Sequence, residues 1–325
     1  MSEQLRRIPT LLCLDVDGTI VSPDGVPYAA TAPLLRHAAL YGAQIALCSA
    51  RPLISLQRLA EDVGNVTFLS ALQGAVIAEF KYKDRRSSEA EIVRTEPGFG
   101  SRLIQRIHAL LKRRHDVEIW YFGLDRWYVR EWSAFVDREV EVTHVKPAVL
   151  ESAEVDRVIN KITIASQSLR ELRSIEVAVR SLAVHVSRSG PHQLEMIPAN
   201  QPEDKGVSIL RRRMGLACQV IGIGDSHNDL GMLRGADIAV TFANAPPALR
   251  AAADVIVSEA REKGLRECQL LVSGRTHVGG RSAEARTRSA QGSSVREDRG
   301  SRVADTKSGA RAARVRHQPL RPKSR

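Results

Sequence analysis

Two short apolar runs, some two hundred residues apart, constrain this chain most. Each breaks off directly into acidic and glycine residues. Ile8–Leu14 stops at Asp15-Val16-Asp17-Gly18-Thr19, and Gln219–Gly222 leads into Gly224-Asp225-Ser226-His227-Asn228-Asp229. Apolar runs this short, bounded by turn residues, read as buried strands. Strands that end in acidic and glycine residues are what an α/β sheet shows when its site lies at the strands' carboxyl ends. The two runs therefore belong to one sheet, with four carboxylates brought to one edge.

Between and after them the pattern alternates. Ala30–Tyr41 has helical spacing (Leu34, Leu35, Ala38, Ala39) and stops at Gly42, Gln44–Cys48 reads as a strand, Leu53–Val63 as a helix and Val66–Leu69 as a strand. Such alternation predicts parallel strands with crossover helices. From about residue 76 the strands become half-polar: Val76–Lys81, Glu118–Phe122, Trp127–Glu131 and Val140–Lys146. Helices are expected at Gly100–Arg114 and Glu154–Asn160, and a strand at Lys161–Ala165. Half-polar strands fit a mostly antiparallel sheet covered on one face. Alternation resumes with a helix at Lys205–Met214, then Leu230–Arg234, Ile238–Thr241, Pro246–Ala253 and Val255–Val257. The expected fold is a doubly wound, mostly parallel Rossmann-like α/β sheet formed by residues 1–77 and 191–273. An α/β domain is inserted at 78–190, and a basic, disordered tail follows at 274–325.

Charge separates along the same lines. The whole chain carries +11, but residues 274–325 hold 14 Lys+Arg against 4 Asp+Glu, which leaves the body at +1. The tail has no Phe, Trp, Tyr, Ile or Met, so it cannot bury enough apolar surface to offset ordering. An arm for nucleic acid or another polyanion needs only such Lys/Arg density, yet without aromatics to stack on bases. A solvated, dispensable extension explains the tail equally simply, and is preferred. The four cysteines have no C-x-x-C spacing and read as reduced, buried residues. No secretory leader or membrane-spanning run is recognisable, which sets a cytoplasmic location as the expectation.

Each candidate group has a plain structural explanation when taken alone. Asp15 and Asp17 could merely form a polar turn, and the 224–229 loop could merely cap a helix. Ser49, after the second strand, has a hydroxyl and backbone N–H to offer an anion. Lys205, before a helix, has an ammonium to set beside it. Together they imply more, because four converging carboxylates repel unless a hard cation such as Mg²⁺ sits among them.

With its order of acid pair, Ser49, insertion, Lys205 and acid pair, the sequence resembles the haloacid dehalogenase superfamily, and within it the Cof-type sugar phosphatases. Supporting matches are Ser70–Ile77, Leu194–Pro198 before Lys205-Gly206, and Phe242-Ala243-Asn244-Ala245 before Ala253-Asp254-Val255. Two positions depart from the pattern. Ser49-Ala50-Arg51 stands where Thr-Gly-Arg is usual, and Gln73-Gly74 where Asn-Gly is usual.

The resemblance implies a Mg²⁺-dependent phosphatase that hydrolyses a small phosphomonoester, a sugar phosphate above all. Asp15 would be the nucleophile and form an aspartyl-phosphate, and Asp17 the general acid and base. Asp15, the Asp17 carbonyl and Asp225 would hold the metal. Gly18, Thr19, Ser49, Ala50, Lys205 and Asn228 would cradle the phosphoryl group, with Asp229 behind them. The inserted domain would be a cap. Its Trp120, Tyr121, Arg126, Trp127 and Arg130 would either stack on a sugar or pack beneath cap helices. Lys146, Lys161 and His192 have no assignable role, and His227 reads as solvated. A phosphomutase and a polyanion-binding protein are the competing readings.

Overall fold

The structure is a computed structural model that describes residues 9–83, 88–112, 114, 116–124, 126–150, 158–201 and 204–273. The expected tail at 274–325 and most of the helix expected at Glu154–Asn160 lie outside them. The first part of the chain runs β1 (Thr10–Leu14), α1 (Thr31–Leu40), β2 (Ala43–Cys48), α2 (Leu53–Val63), β3 (Phe68–Ala71), β4 (Val76–Tyr82) and β5 (Ser88–Thr95). The middle holds α3 (Ser101–Leu111), β6 (Glu118–Phe122), β7 (Trp127–Val129), α4 (Ala134–Thr143), β8 (Ala148–Val149) and β9 (Lys161–Ala165). It continues with α5 (Leu169–Val179), β10 (Val184–Gly190) and β11 (Gln193–Pro198). The last part is α6 (Val207–Met214), β12 (Gln219–Ile223), α7 (Leu230–Gly235), β13 (Ile238–Phe242), α8 (Pro247–Ala252), β14 (Val255–Val257) and α9 (Arg261–Val272).

The larger sheet has the order β14-β13-β12-β1-β2-β3-β4-β5, parallel from β14 through β3 and antiparallel at β4 and β5. β1 is central because every residue after Thr10 is buried. Its alternation feeds two layers. Leu12 and Leu14 pack with α1, α2 and α9, while Leu11 and Cys13 pack with α6, α7 and α8. Each fully buried leucine among these contributes about 1.5–3 kcal/mol. Strand order runs outward from β1 in both directions, so the crevice beside β1 is the sheet's topological switch point. Register fixes the site: Leu14 pairs with both Leu47 and Ile223, so the loops after β1, β2 and β12 leave the sheet side by side.

The smaller sheet, β10-β11-β9-β6-β7-β8, is antiparallel except where β7 meets β8. Its strands run from Glu118 to Pro198, whereas β4 and β5 go with the larger sheet. Tyr121, Tyr128, Ile162 and Ile164 face α3 and α5. Trp120, Phe122 and Trp127 line the opposite face, with Phe122 and Trp127 stacked at 5.5 Å. Trp120, Tyr121, Phe122 and Trp127 are each at most 1% exposed, so they are packing residues and not a sugar platform. Among the described residues no helix is long and apolar enough to cross a membrane.

One expected element changes type. Val140–Lys146, with its alternating valines, forms the end of α4 and the loop after it. Ser133 caps that helix by accepting from Val136 N–H, Val136 and Thr143 share its buried face, and His144 ends it at φ +55°. The two-residue alternation coincided with a seven-residue helical spacing, and the cap decides between them.

Candidate active site

The register of β1, β2 and β12 brings Asp15, Ser49 and Asp225 to one crevice. Asp15 is 4% exposed and its backbone N–H donates to Ile223 O at 2.9 Å, which continues the β1–β12 ladder into the loop. The Lys205 ammonium lies behind it, fully buried, donating to Asp15 Oδ1 at 2.8 Å, to Asp229 Oδ1 at 2.6 Å and to Cys48 O at 3.5 Å. Its three protons are thereby committed. Gly74 makes this approach possible: at φ +93°, it lies so close to the Lys205–Gly206 peptide that a Cβ would meet Gly206 N at 2.6 Å.

Asp229 is the anchor of the second loop. Its Oδ2 accepts from the backbone N–H groups of Asp225 (3.0 Å) and Ser226 (2.9 Å). Asp225 Oδ1 accepts from the Thr19 hydroxyl at 3.3 Å, and its Oδ2 pairs with Arg261 at 3.0 Å. Arg261 also donates to the Gly18 carbonyl and lies 3.8 Å over the Phe242 ring. Asn228 accepts from the Ser226 hydroxyl, and His227 is exposed.

Asp17 is half-exposed and gripped by Arg51, whose Nη2 lies 2.6 Å from Oδ1 and Nε 3.0 Å from Oδ2. Sequence reasoning gave Arg51 and Arg261 no role. Arg51 had a signal, its place in the Ser-Ala-Arg motif; Arg261 had none. Ser49 departs from expectation in one respect. Its backbone N–H donates to Ser70 O as part of the β2–β3 ladder, so only its hydroxyl is left for an anion. That hydroxyl oxygen accepts from Arg51 N–H at 3.1 Å.

Electrostatics show an excess of negative charge. Burial raises the Asp15 carboxyl well above the usual range; Asp229 and Asp225 add to this, and Lys205 opposes it. Burial and Asp229 push Asp225 up to about 6 despite Arg261. Burial alone would lower the Lys205 ammonium, but Asp15 and Asp229 outweigh it and raise it. Oxygens of Asp15, Asp225 and Asp229 lie within 4.8 Å of one another, and among the described residues two cations, Lys205 and Arg261, pair with them. One uncompensated negative charge and an all-oxygen donor set fit a hard divalent cation. Asp229 is already occupied by Lys205 and by the Asp225 and Ser226 groups that donate to it, which leaves Asp15 and Asp225 for the cation.

A cavity of about 370 Å³ covers this cluster. Asp15, Asp17 and Ser49 line it from the loops at the end of the larger sheet, Lys161 and Glu195 from the smaller sheet, and Glu139 from α4. Gly18, Ala50 and Asn228 lie on its wall, whereas Lys205 lies behind it. Lys161 and Glu195, each 4% exposed, pair at 2.7 Å. Gln73, at φ +59°, donates to Glu195 and so ties the β3–β4 loop to the smaller sheet. A larger cavity of about 620 Å³, between α3 and β7, includes His108, Trp120 and Arg130 but none of the acid cluster.

The family model for haloacid dehalogenase-like hydrolases matches residues 12–268. The phosphatase YcsE of Bacillus subtilis (strain 168), named for 5-amino-6-(5-phospho-D-ribitylamino)uracil, is 21% identical over 78% of this chain and 92% of its own. A phosphoglycolate phosphatase of Methanopyrus kandleri is 24% identical over 79% and 94%. Among solved structures, a haloacid dehalogenase-like hydrolase from Bacteroides thetaiotaomicron superposes with TM-score 0.67 at 21% identity, covering 81% of this chain and 99% of its own. The subclass IIB sugar phosphatase BT4131 does so with TM-score 0.67 at 19% identity, covering 82% and 100%. The chain thus belongs to the haloacid dehalogenase-like hydrolase family, in its Cof-type branch, and is a phosphatase-type enzyme.

Proposed function

We propose that the chain is a Mg²⁺-dependent phosphatase that hydrolyses a phosphomonoester of a small metabolite, a sugar phosphate by preference, through an aspartyl-phosphate on Asp15. The arrangement of Asp15 supports this most directly. It is buried, keyed by Lys205 at 2.8 Å, and at the floor of a cavity that also holds Asp17 and Asp225. Lys205 favours the ionised form of Asp15 against burial and Asp229, and in that form a carboxylate oxygen attacks phosphorus while the bond to the leaving oxygen breaks. Asp17 gives its proton to that oxygen, then takes one from the water that hydrolyses the aspartyl-phosphate. The Ser49 hydroxyl and the loop through Ala50 hold phosphoryl oxygens beside the N-terminus of α2, and Gly18 and Asn228 line the cavity with them, whereas Thr19 is buried away from it and acts through its hydrogen bond to Asp225. Asp15, the Asp17 carbonyl and Asp225 would hold Mg²⁺, which offsets charge between carboxylates and phosphoryl oxygens. Asp229 acts from behind, through Lys205 and the Asp225 loop.

We assign the cap role to the smaller sheet and its helices, since Glu139, Lys161 and Glu195 close the cavity from that side. A space of about 370 Å³ suits a small hydrophilic ester. The relatives named for phosphoglycolate and a ribityl phosphate point the same way. The test is release of inorganic phosphate from a panel of metabolite phosphates in Mg²⁺. Wild type should turn over, and Asp15→Asn should lose at least about a thousandfold, the scale of losing a nucleophile. Wild-type rates in Asp15→Asn would refute the assignment.

A further inference from the structure

We propose that Arg261 is a positioning residue for the cation site, and that by occupying one oxygen of Asp225 it sets the site's preference for Mg²⁺ over Ca²⁺. The inference rests on the reading of Asp15, the Asp17 carbonyl and Asp225 as the groups that would hold the cation. Arg261 is the first residue of α9, and its guanidinium spans the two loops that carry these groups. In the loop after β1, its Nε donates to the Gly18 carbonyl, the neighbour of the Asp17 carbonyl. In the loop after β12, its Nη2 donates to Asp225 Oδ2 at 3.0 Å. A planar guanidinium held at both points fixes their relative placement, which a single ammonium does not.

The guanidinium is itself immobilised. Its Nη1 donates to Asn244 Oδ1 at 3.1 Å and to Glu259 O at 3.2 Å, and its plane is 3.8 Å from the Phe242 ring. The base of the side chain is anchored as well. Glu262, the next residue, accepts from the N–H groups of Ala29 at 2.7 Å and Ala30 at 2.9 Å, which ties the first turn of α9 to the start of α1. Gly264, in the same turn, packs so closely that a Cβ would meet Ser258 O at 2.6 Å and Phe242 Cε1 at 2.9 Å. Asp225 is thereby divided. Its Oδ2 is taken by Arg261, whereas Oδ1 meets the Thr19 hydroxyl at a long 3.3 Å and is the oxygen left for a cation. A divalent ion drawn onto both oxygens would be pressed against the positive guanidinium. Mg²⁺ demands a regular octahedron, which one oxygen per carboxylate suits; Ca²⁺ accepts a larger, looser set that can include both oxygens of one carboxylate. Arg261 therefore discriminates by geometry. Its charge acts alike on two ions of the same charge, so charge alone would weaken both together.

The test is direct binding of Mg²⁺ and of Ca²⁺ to the full-length, substrate-free protein by calorimetry, read as the ratio of the two dissociation constants. Arg261→Gln should shift that ratio towards Ca²⁺ by at least about tenfold, within the range for losing a group that orients a metal ligand. Arg261→Lys keeps the charge but reaches only one of the two loops, and should shift the ratio the same way by about threefold. It carries the test should the glutamine variant fail to fold. Affinities that move in parallel, with the ratio unchanged within about twofold, would overturn the inference and reduce Arg261 to a counter-charge. A shift towards Mg²⁺ would overturn it too. The cation reading has its own check: binding of either ion should be lost in Asp225→Asn, and its persistence would refute a cation on Asp225 and this inference with it. Turnover enters none of these measurements, so retained activity in Asp15→Asn would refute the phosphatase reading separately.

Discussion

Replacing Lys205 by methionine tests the electrostatic core of the site. Methionine fills a similar volume, so packing is nearly conserved while the charge is removed. The ammonium is 1% exposed and sits 2.8 Å and 2.6 Å from two carboxylates that are themselves 5% and 0% exposed. Removing one partner from a buried ion pair costs about 3–5 kcal/mol, because the remaining charge is left uncompensated. Two carboxylates are left here, so the upper part of that range applies. At 2–4 °C per kcal/mol for a domain of this size, the melting temperature should fall by roughly 8–20 °C. The raised pKa of Lys205 means that its contribution is complete below the unfolded value and disappears only on rising through the folded one. The comparison is therefore made at pH 7.5, below the unfolded lysine value, where the ammonium is charged in both states. The assay is thermal unfolding of both proteins at pH 7.5, in EDTA and in 10 mM Mg²⁺. The variant should recover part of its loss in Mg²⁺, as a divalent cation replaces the missing charge. A variant melting within about 2 °C of wild type in EDTA would refute the account of Lys205 as the counter-charge to Asp15 and Asp229.

Gly18→Ala should raise the Mg²⁺ concentration for half-maximal turnover by roughly tenfold, the scale of disturbing a ligand's support. A Cβ at φ +81° would lie 2.4 Å from Asp225 Oδ2, and an unchanged Mg²⁺ titration would contradict this. Burial lowers the His108 pKa, with Arg130 adding to the shift, so the unfolded state binds its proton more readily. This stability is present above the unfolded value near 6.5 and is lost as pH falls through the folded one. Urea unfolding between pH 7 and 5 should fall less steeply in His108→Gln. Truncation after Ser273 removes +10 of the +11 formal charge; it should abolish any salt-sensitive retention on a polyanion column and leave turnover unchanged.

The parts of the site legible in the sequence are those set by strand ends. Asp15, Ser49 and Asp225 each follow an apolar run, and in-register parallel pairing brings such residues together without further information. Lys205 could be placed by its motif, but not its burial between two acids, which depends on the close approach of Gly74. The role of Arg51 was not legible because its partner Asp17 lies on a different loop, 34 residues earlier. Arg261 is further removed, reaching the Gly18 carbonyl from 243 residues away. The β5 strand, Ser-Glu-Ala-Glu-Ile-Val-Arg-Thr, escaped notice because it is an edge strand with no fully buried residue, so no apolar face marks it.

The placement of β1 between β2 and β12 also bears on how the molecule is made. Its first neighbour follows within about 30 residues, but the second is synthesised about 200 residues after it. At about 5–20 residues per second, one edge of this largely apolar strand waits roughly 10–40 s on the ribosome for its partner. Meanwhile the smaller sheet, whose strands all lie between Glu118 and Pro198, has its full complement and can fold. A bare, hydrophobic strand edge is a template for pairing with other chains. Slowed elongation between residues 198 and 223 should therefore lower soluble yield more than the same delay placed after residue 223.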